Sequence, residues 1–373
     1  MKPLIAAAAA LCLLGAAPAL ASPPPVDASA YVVANAATGE VLAQHDAAAR
    51  LPIASITKLM TVLVALEHVR LDEVVRVAPG PAAVGESSIH LRTGERLSVR
   101  DLIKGALIQS ANDAADALAA AAADGDTARF VDWMNAKAHA LGLVDTHFAR
   151  PDGLDAPNHV SSARDVLKLA EVAMHNATVR AIVDERTDTI AGGRVLHTWN
   201  DLLGSFPGLI GVKTGHTGGA GWCQVAAVRR SGYTIYAVIL GSATRAGRNS
   251  DLAALLRWGV SRYRVGPVIA PARPYAEADP GWGKAKLTLV ATKPLLRAYR
   301  VDRPLVERVV ASAAVSLPVA RGQVLGRVQV WAGKRLLGTR PLVASRTIAR
   351  PGLARRVAWY GGRTVHHVLG LLS

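Results

Sequence analysis

Three short stretches carry the residue types that covalent chemistry needs: Ser55-Ile-Thr-Lys58, Ser110-Ala-Asn112 and Lys213-Thr-Gly215. A serine hydroxyl is a poor nucleophile until a neighbour takes its proton, and a lysine can take it only when neutral. Ser55 and Lys58 stand three residues apart at the start of an apolar helical segment, so both side chains project from one face. Burial by that face, or a second cation such as Lys213, would drive Lys58 toward the neutral form. The helix N-terminus places the Ser55 backbone N–H where a developing oxyanion could use it. Singly, each stretch is weak. A Ser-x-x-Lys is ordinarily a solvated helical pair, Ser110 or Asn112 could be a helix cap, and Lys213 could be a surface lysine ending a strand. Together, in suitable settings, they describe acyl transfer through a lysine-activated serine. Gly215 relieves the strand edge so that a substrate backbone could lie against it, and His216 is expected to contribute its backbone rather than its ring.

The elements that must hold these residues can be read from periodicity. Tyr31 to Ala34 and Val41 to Ala43 flank Ala37-Thr-Gly-Glu40, which reads as a hairpin with Thr-Gly in the turn. From Pro52 to Glu67 the pattern becomes helical, with Leu59, Val62, Leu63 and Leu66 at the spacing of a buried face. Further helical windows run from Leu97 to about His175, and Ser162-Ala-Arg-Asp165 resembles a capping box. Ser110 and Asn112 fall in a loop between two of these helices. Strand character returns in 208–212, 223–228 and 233–240, the last two joined through Ser231-Gly232, and a helix from about Ser250 to Tyr263 closes the unit. Strands at both ends with helices inserted between them predict an α+β fold: an antiparallel sheet with flanking helices and a mainly helical subdomain over 27–265. Pro and Gly cluster over 266–283, which reads as a linker. A small all-β domain follows over 284–346, with 326–331 pairing with 335–337.

Length and charge bound the function class. With 373 residues, 51% of them hydrophobic, two folded domains are the default. Residues 1–21 have a charged start, an apolar run from Leu4 to Leu14 and Ala19-Leu-Ala21 before Ser22, the pattern of a cleaved signal peptide, so export is expected. Cys12 falls in that leader, which leaves Cys223 alone and precludes an intramolecular disulfide; its apolar surroundings predict a buried, inert thiol. The net charge is +15, and its distribution is uneven: 25 basic and 24 acidic residues lie in 1–265, against 18 and 4 in 266–373. For an exported chain this excess points to an anionic membrane surface or wall polymer, and no nucleic-acid partner is expected. The tail, 350–373, contains no acid and places Leu353, Val357, Tyr360, Val365, Val368 and Leu372 on one side of a helix, an interfacial amphipathic pattern interrupted by Gly361-Gly362. No His-Glu-x-x-His or Cys-x-x-Cys occurs, and neither a metal site nor any cofactor is expected.

The three stretches resemble the signatures of the penicillin-binding protein and serine β-lactamase superfamily. The closer resemblance is to the low-molecular-mass D-alanyl-D-alanine carboxypeptidases, over Pro52 to Thr61, Ser110 to Ala115, Gly153-Leu-Asp155, Ser161 to Asp165, Gly211 to Thr217 and Gly219 to Cys223. Arg321 to Gly326 and Pro341 to Ala344 look like that family's C-terminal β domain, and the tail looks like its membrane anchor. The resemblance implies a serine-type D-Ala-D-Ala carboxypeptidase acting on peptidoglycan stem pentapeptides in the periplasm, at the outer face of the cytoplasmic membrane. It implies Ser55 as nucleophile, Lys58 as base and Ser110 as proton relay, with Asn112 orienting the substrate amide. Lys213, Thr214 and Thr217 would bind the terminal carboxylate, and the backbone N–H groups of Ser55 and His216 would form the oxyanion hole. β-Lactams, as mimics of the acyl donor, would acylate Ser55 stably. Where the family often has Asn or a similar polar residue before Gly-Leu-Asp, this chain has Arg150-Pro-Asp152, a departure expected to bear on substrate fine-tuning rather than on the chemistry.

Three rival readings differ in testable ways. A class A β-lactamase would need Glu-x-x-Leu-Asn between Asn112 and Lys213, and that sequence does not occur. A D,D-endopeptidase would use the same stretches, but its small members usually lack the C-terminal β domain and tail. A non-catalytic β-lactam or muropeptide binding protein would keep the pocket and lose one of Ser55, Lys58, Ser110 or Lys213, all of which are present.

Overall fold

The computed structural model describes residues 22–282, 284–354 and 356–359. The expected leader, 1–21, and most of the expected tail lie outside the described residues. The chain divides into two compact units, one ending at Ser261 and the other starting at Arg262.

The first unit is built on a five-stranded antiparallel sheet. Its strands are β1 (Ala30–Asn35), β2 (Glu40–His45), β3 (Leu209–Thr217), β4 (Gly221–Arg230) and β5 (Tyr233–Ser242), arranged in the order β2-β1-β5-β4-β3. Strand β1 therefore sits beside β5, joining the two ends of the unit, and β3 is an edge. The hairpin from β1 to β2 turns at Thr38-Gly39, where Gly39 takes a φ of 67°, and β4 passes to β5 through Gly232 at φ 81°. Both are positions where a left-handed residue is needed and glycine supplies it at little cost.

Between β2 and β3 lie the helices α1 (Lys58–His68), α2 (Asn112–Ala122), α3 (Thr127–Ala140) and α4 (Ala163–His175), and α5 (Arg245–Ser261) follows β5. Helix α1 is buried continuously from Lys58 to Ala65, so its apolar pattern runs round the helix rather than along one stripe. Helix α4 starts where its cap motif places it: Ser162 accepts the Asp165 N–H at 3.2 Å. On β5, Ile235 packs at Gly259 of α5 while the adjacent Tyr236 faces Glu171 of α4, so the two helices cover opposite faces of the sheet. Covering on both faces explains why β4 and β5 read as near-continuous apolar runs rather than as alternating ones.

The second unit is all β. Strands β6 (Tyr263–Ile269), β7 (Pro274–Ala278), β8 (Leu287–Ala291), β9 (Leu295–Arg300), β10 (Leu305–Ala311), β11 (Val324–Ala332) and β12 (Arg335–Ala344) form a sheet of order β7-β8-β12-β11-β10 and a ribbon of β6 with β9. Leu287, Leu289, Leu295, Val328, Val330 and Leu342 are in its core. Residues 266–283, read from sequence as a linker, instead supply most of β6 and all of β7. Their prolines sit where a sheet tolerates a missing N–H: Pro267 in a two-stranded ribbon and Pro274 at the first position of an edge strand. The short helical turn that begins the tail exposes Leu353 and Val357.

Candidate active site

The Ser55 stretch is a tight turn pinned from two sides. Ala54 adopts a left-handed φ of 48°, Ala54–Thr57 forms one 3-10 turn, and α1 continues from Lys58. In a 3-10 turn residues i and i+3 eclipse, which brings Lys58 Nζ to 2.7 Å from Ser55 Oγ. A Cβ at Gly215 of β3 would lie 2.7 Å from the Ile53 carbonyl oxygen and 3.1 Å from the Ser55 nitrogen. On the other side, a Cβ at Gly153 would lie 2.3 Å from the Ala54 carbonyl oxygen. Both glycines are there because backbone meets backbone.

Lys58 is fully buried among three partners: Ser55 Oγ, Asn112 Oδ1 at 2.7 Å and the Asp152 carbonyl oxygen at 2.6 Å. The Asn112 amide is oriented by its own Nδ2, which donates to the Gly85 carbonyl at 3.0 Å and so leaves Oδ1 toward the lysine. A neutral amine has two N–H groups and one lone pair. Asn112 Oδ1 and Asp152 O can only accept, so they take the two N–H groups, and the lone pair is left facing the Ser55 hydroxyl. Burial lowers the pKa of Lys58 to about 8; Asp152, Asp116 and Asp113 oppose that shift, and the Arg150 guanidinium adds to it. The cation assisting burial is thus Arg150, where the sequence pointed to Lys213.

Lys213 is also buried, and its Nζ donates to Ser110 Oγ at 2.7 Å and to the Thr214 carbonyl at 3.0 Å. Burial, and after it the neighbouring cations Lys58 and Arg248, holds its pKa well below the ordinary lysine value. Ser110 reaches Lys213 from a left-handed backbone, φ 62°, at the end of a π turn over Gly105–Gln109. For a residue with a Cβ this conformation is costly, and it turns the hydroxyl toward the site. Asn112 is the first residue of α2 and does not cap it; its side chain is used on Lys58.

A cleft of about 220 Å³ opens over Ser55, Ser110, Asn112, Thr214, Gly215 and His216, with Leu154, Trp199, Trp222 and Arg248 among its other walls. The His216 ring packs against Trp222, tilted by 30° with ring centres 3.9 Å apart. Thr217 does not line the cleft. Its hydroxyl donates to Asp155 at 2.6 Å and accepts from the Ala220 N–H. Cys223 is buried, and its thiol is pushed up to about 11, as expected of an inert sulfur.

Several residues here carried no local signal in the sequence. Arg248, 1% exposed on α5, is held by Asp201 at 3.2 Å and lies 5.5 Å from the Trp222 ring centre, putting a second buried cation beside Thr214. Trp199 donates to the Gln109 carbonyl at 3.0 Å and walls the cleft. The loop 149–155 returns to α1: Thr61 Oγ1 donates to the Pro151 carbonyl at 2.5 Å, and Arg150 forms a two-pronged pair with the fully buried Asp152 carboxylate, both contacts at 2.6 Å. The Arg150-Pro-Asp152 departure therefore falls against Lys58 itself. Buried His159 accepts the Ala149 N–H at Nδ1 (3.0 Å), so the neutral ring carries its proton at Nε2 and donates it to Thr57 Oγ1 at 2.8 Å.

Residues 17–244 match the family described as D-alanyl-D-alanine carboxypeptidase. Among curated proteins, the carboxypeptidase DacC of Escherichia coli K12 is 32% identical over 362 residues, covering 90% of this chain and 87% of that one. Among solved structures, penicillin binding protein 5 of Haemophilus influenzae superposes with a TM-score of 0.64 at 25% identity, over 88% of this chain and all of that one. The ampicillin-bound penicillin-binding protein D2 of Listeria monocytogenes gives 0.59 at 32% identity, over 64% of this chain and 98% of that one. A family match that spans well over half the sequence, together with relatives aligned along nearly their full lengths, places this chain in the D-alanyl-D-alanine carboxypeptidase family of serine peptidases.

Proposed function

We propose that the chain removes the terminal D-alanine from peptidoglycan stem pentapeptides through an acyl-enzyme on Ser55. The observation that carries this reading is the hydrogen-bond inventory of Lys58: two acceptor-only partners and one hydroxyl leave its lone pair for the Ser55 proton. Ser55 Oγ attacks the carbonyl of the penultimate D-alanine, and its proton passes to Lys58 Nζ. The backbone N–H groups of Ser55 and His216 take the oxyanion. Ser110, bonded to Lys213, relays a proton to the departing amine, D-alanine leaves, and water then cleaves the ester to free the shortened stem and Ser55. Asn112 sits where it can hold the substrate amide as well as Lys58.

The terminal carboxylate is bound on the side of Thr214 and Arg248, where the Arg248 guanidinium lines the cleft and Lys213, bonded to Ser110, can take up a proton as the anion arrives. β-Lactams enter the same cleft and acylate Ser55. The reading extends to place: export by the leader, a periplasmic site of action, and peripheral attachment of the basic tail to anionic lipid, supported by exposed Leu353 and Val357. Among the described residues no helix is long and apolar enough to cross a membrane.

Incubation of the chain with a stem pentapeptide tests the reading. Release of one equivalent of free D-alanine by the native chain, and none by Ser55→Ala, is the expected result. Cleavage of crosslinked dimer with the pentapeptide left intact would replace it with an endopeptidase.

A further inference from the structure

Asp152 touches Lys58 with its carbonyl and not with its carboxylate. The carbonyl oxygen stands 2.6 Å from Lys58 Nζ, while the fully buried carboxylate is turned to Arg150. Arg150 Nε donates to Oδ1 and Nη2 to Oδ2, both at 2.6 Å, and the Leu154 N–H adds a bond to Oδ1 at 2.9 Å. Among the described residues no other cation is paired with this carboxylate. For a base the distinction matters. A carbonyl accepts an N–H from a neutral amine, whereas a carboxylate in contact with an amine favours the ammonium form, which has no lone pair to offer. The loop backbone is seated on the Ser55 turn and α1 by contacts of its own. Thr61 Oγ1 donates to the Pro151 carbonyl at 2.5 Å, and Gly153, at φ 84°, lies against the Ala54 carbonyl. What the Arg150 side chain adds is a hold on the carboxylate.

We propose that Arg150 is a positioning residue for the base: by claiming both oxygens of the Asp152 carboxylate, it keeps that buried anion from pairing with Lys58 and leaves the lysine facing a neutral carbonyl. A carboxylate shut away from water needs a counterion, and with the guanidinium gone the cation within reach is Lys58, which already touches the same residue. The charges around Lys58 have the signs this requires. After burial, the largest influence, Asp152 raises its proton affinity and Arg150 lowers it; Asp116 and Asp113 act from α2, and Lys213 faces it from β3. Glu86 and His159 bear on the loop pair. The inference rests on Lys58 being the base, and it gives Arg150-Pro-Asp152 a part in the chemistry rather than in substrate fine-tuning.

The test is the pH profile of Ser55 acylation by a penicillin in the native chain, in Arg150→Met and in Arg150→Met/Asp152→Asn, with thermal unfolding beside it. In Arg150→Met the carboxylate turns to Lys58. The acidic limb should then move up by about one pH unit, and acylation at about pH 7 should fall about tenfold with the high-pH plateau kept. In the double variant no carboxylate is left to hold the lysine, and the limb should return to its native position. A side chain that merely braces the loop would lower the rate at every pH and leave the limb in place. That result in a folded Arg150→Met chain, or a limb that stays raised in the double variant, overturns the proposal. Should Arg150→Met not fold, Asp152→Asn decides: its limb should move to lower pH, and a limb that does not move down overturns the proposal. Absence of any Ser55 adduct in the native chain would instead remove the lysine-activated serine itself.

Discussion

Gly215 lies so close to Ile53 that a side chain between them has no room: its Cβ would stand 2.7 Å from the Ile53 carbonyl oxygen. The contact ties the edge strand β3 to the turn that presents Ser55. The clash is with backbone, so Gly215→Ala must push the strand away, and a displacement of about 1 Å at a reacting group can cost on the order of 100-fold in rate. We expect Gly215→Ala to fold with a lowered Tm and to lose penicillin acylation by about that factor. Stopped-flow acylation beside thermal unfolding would check it.

The pKa of Lys58 sets a second expectation. Burial lowers it to about 8, so the reactive neutral form grows as pH rises toward and through that value. Acylation should climb between about pH 6 and 8 and level off above. Lys58→Arg keeps a cation that cannot deprotonate and should leave at most about one part in a thousand of the native rate across the range. A bare pH–rate profile for each chain is sufficient.

His159 predicts a pH dependence of stability. Its folded pKa is lowered to about 4 from 6.5, chiefly by burial. The unfolded chain therefore takes up a proton that the folded chain refuses, and the stabilisation present above pH 6.5 is lost as pH falls toward 4. The loss amounts to about 3 kcal/mol from this residue. His159→Gln should be less stable at pH 7.5, because the Ala149 N–H loses its acceptor, but should show a flatter fall between pH 6.5 and 4. Denaturant unfolding at stepped pH would measure both slopes.

Those parts of the site that depend on short-range spacing were legible in the sequence. Ser55 and Lys58, three apart, had to meet on one helical turn, and the apolar runs joined through Ser231-Gly232 marked a meander with Lys213 on its strand. What could not be read were contacts made by chain that returns from a distance. The carbonyls of Pro151 and Asp152 hold Thr61 and Lys58 from about 90 residues away in sequence, and carbonyl positions leave no trace in side-chain periodicity. Arg248 arrives on a helix after the last strand, with nothing local to mark it as part of the cleft. Thr217 was expected at the cleft only through the family resemblance, and nothing in the local sequence announced the bond of its hydroxyl to Asp155, 62 residues away. The prolines and glycines of 266–283 suggested a linker because short edge strands and linkers share a composition.

The most direct test of the account is intact mass of the chain after brief exposure to a penicillin, with Ser55→Ala alongside. The account predicts one stable adduct of the drug's full mass on the native chain, mapped to the peptide containing Ser55, and none on the variant. An unmodified native chain, or an adduct that survives in Ser55→Ala, would contradict it.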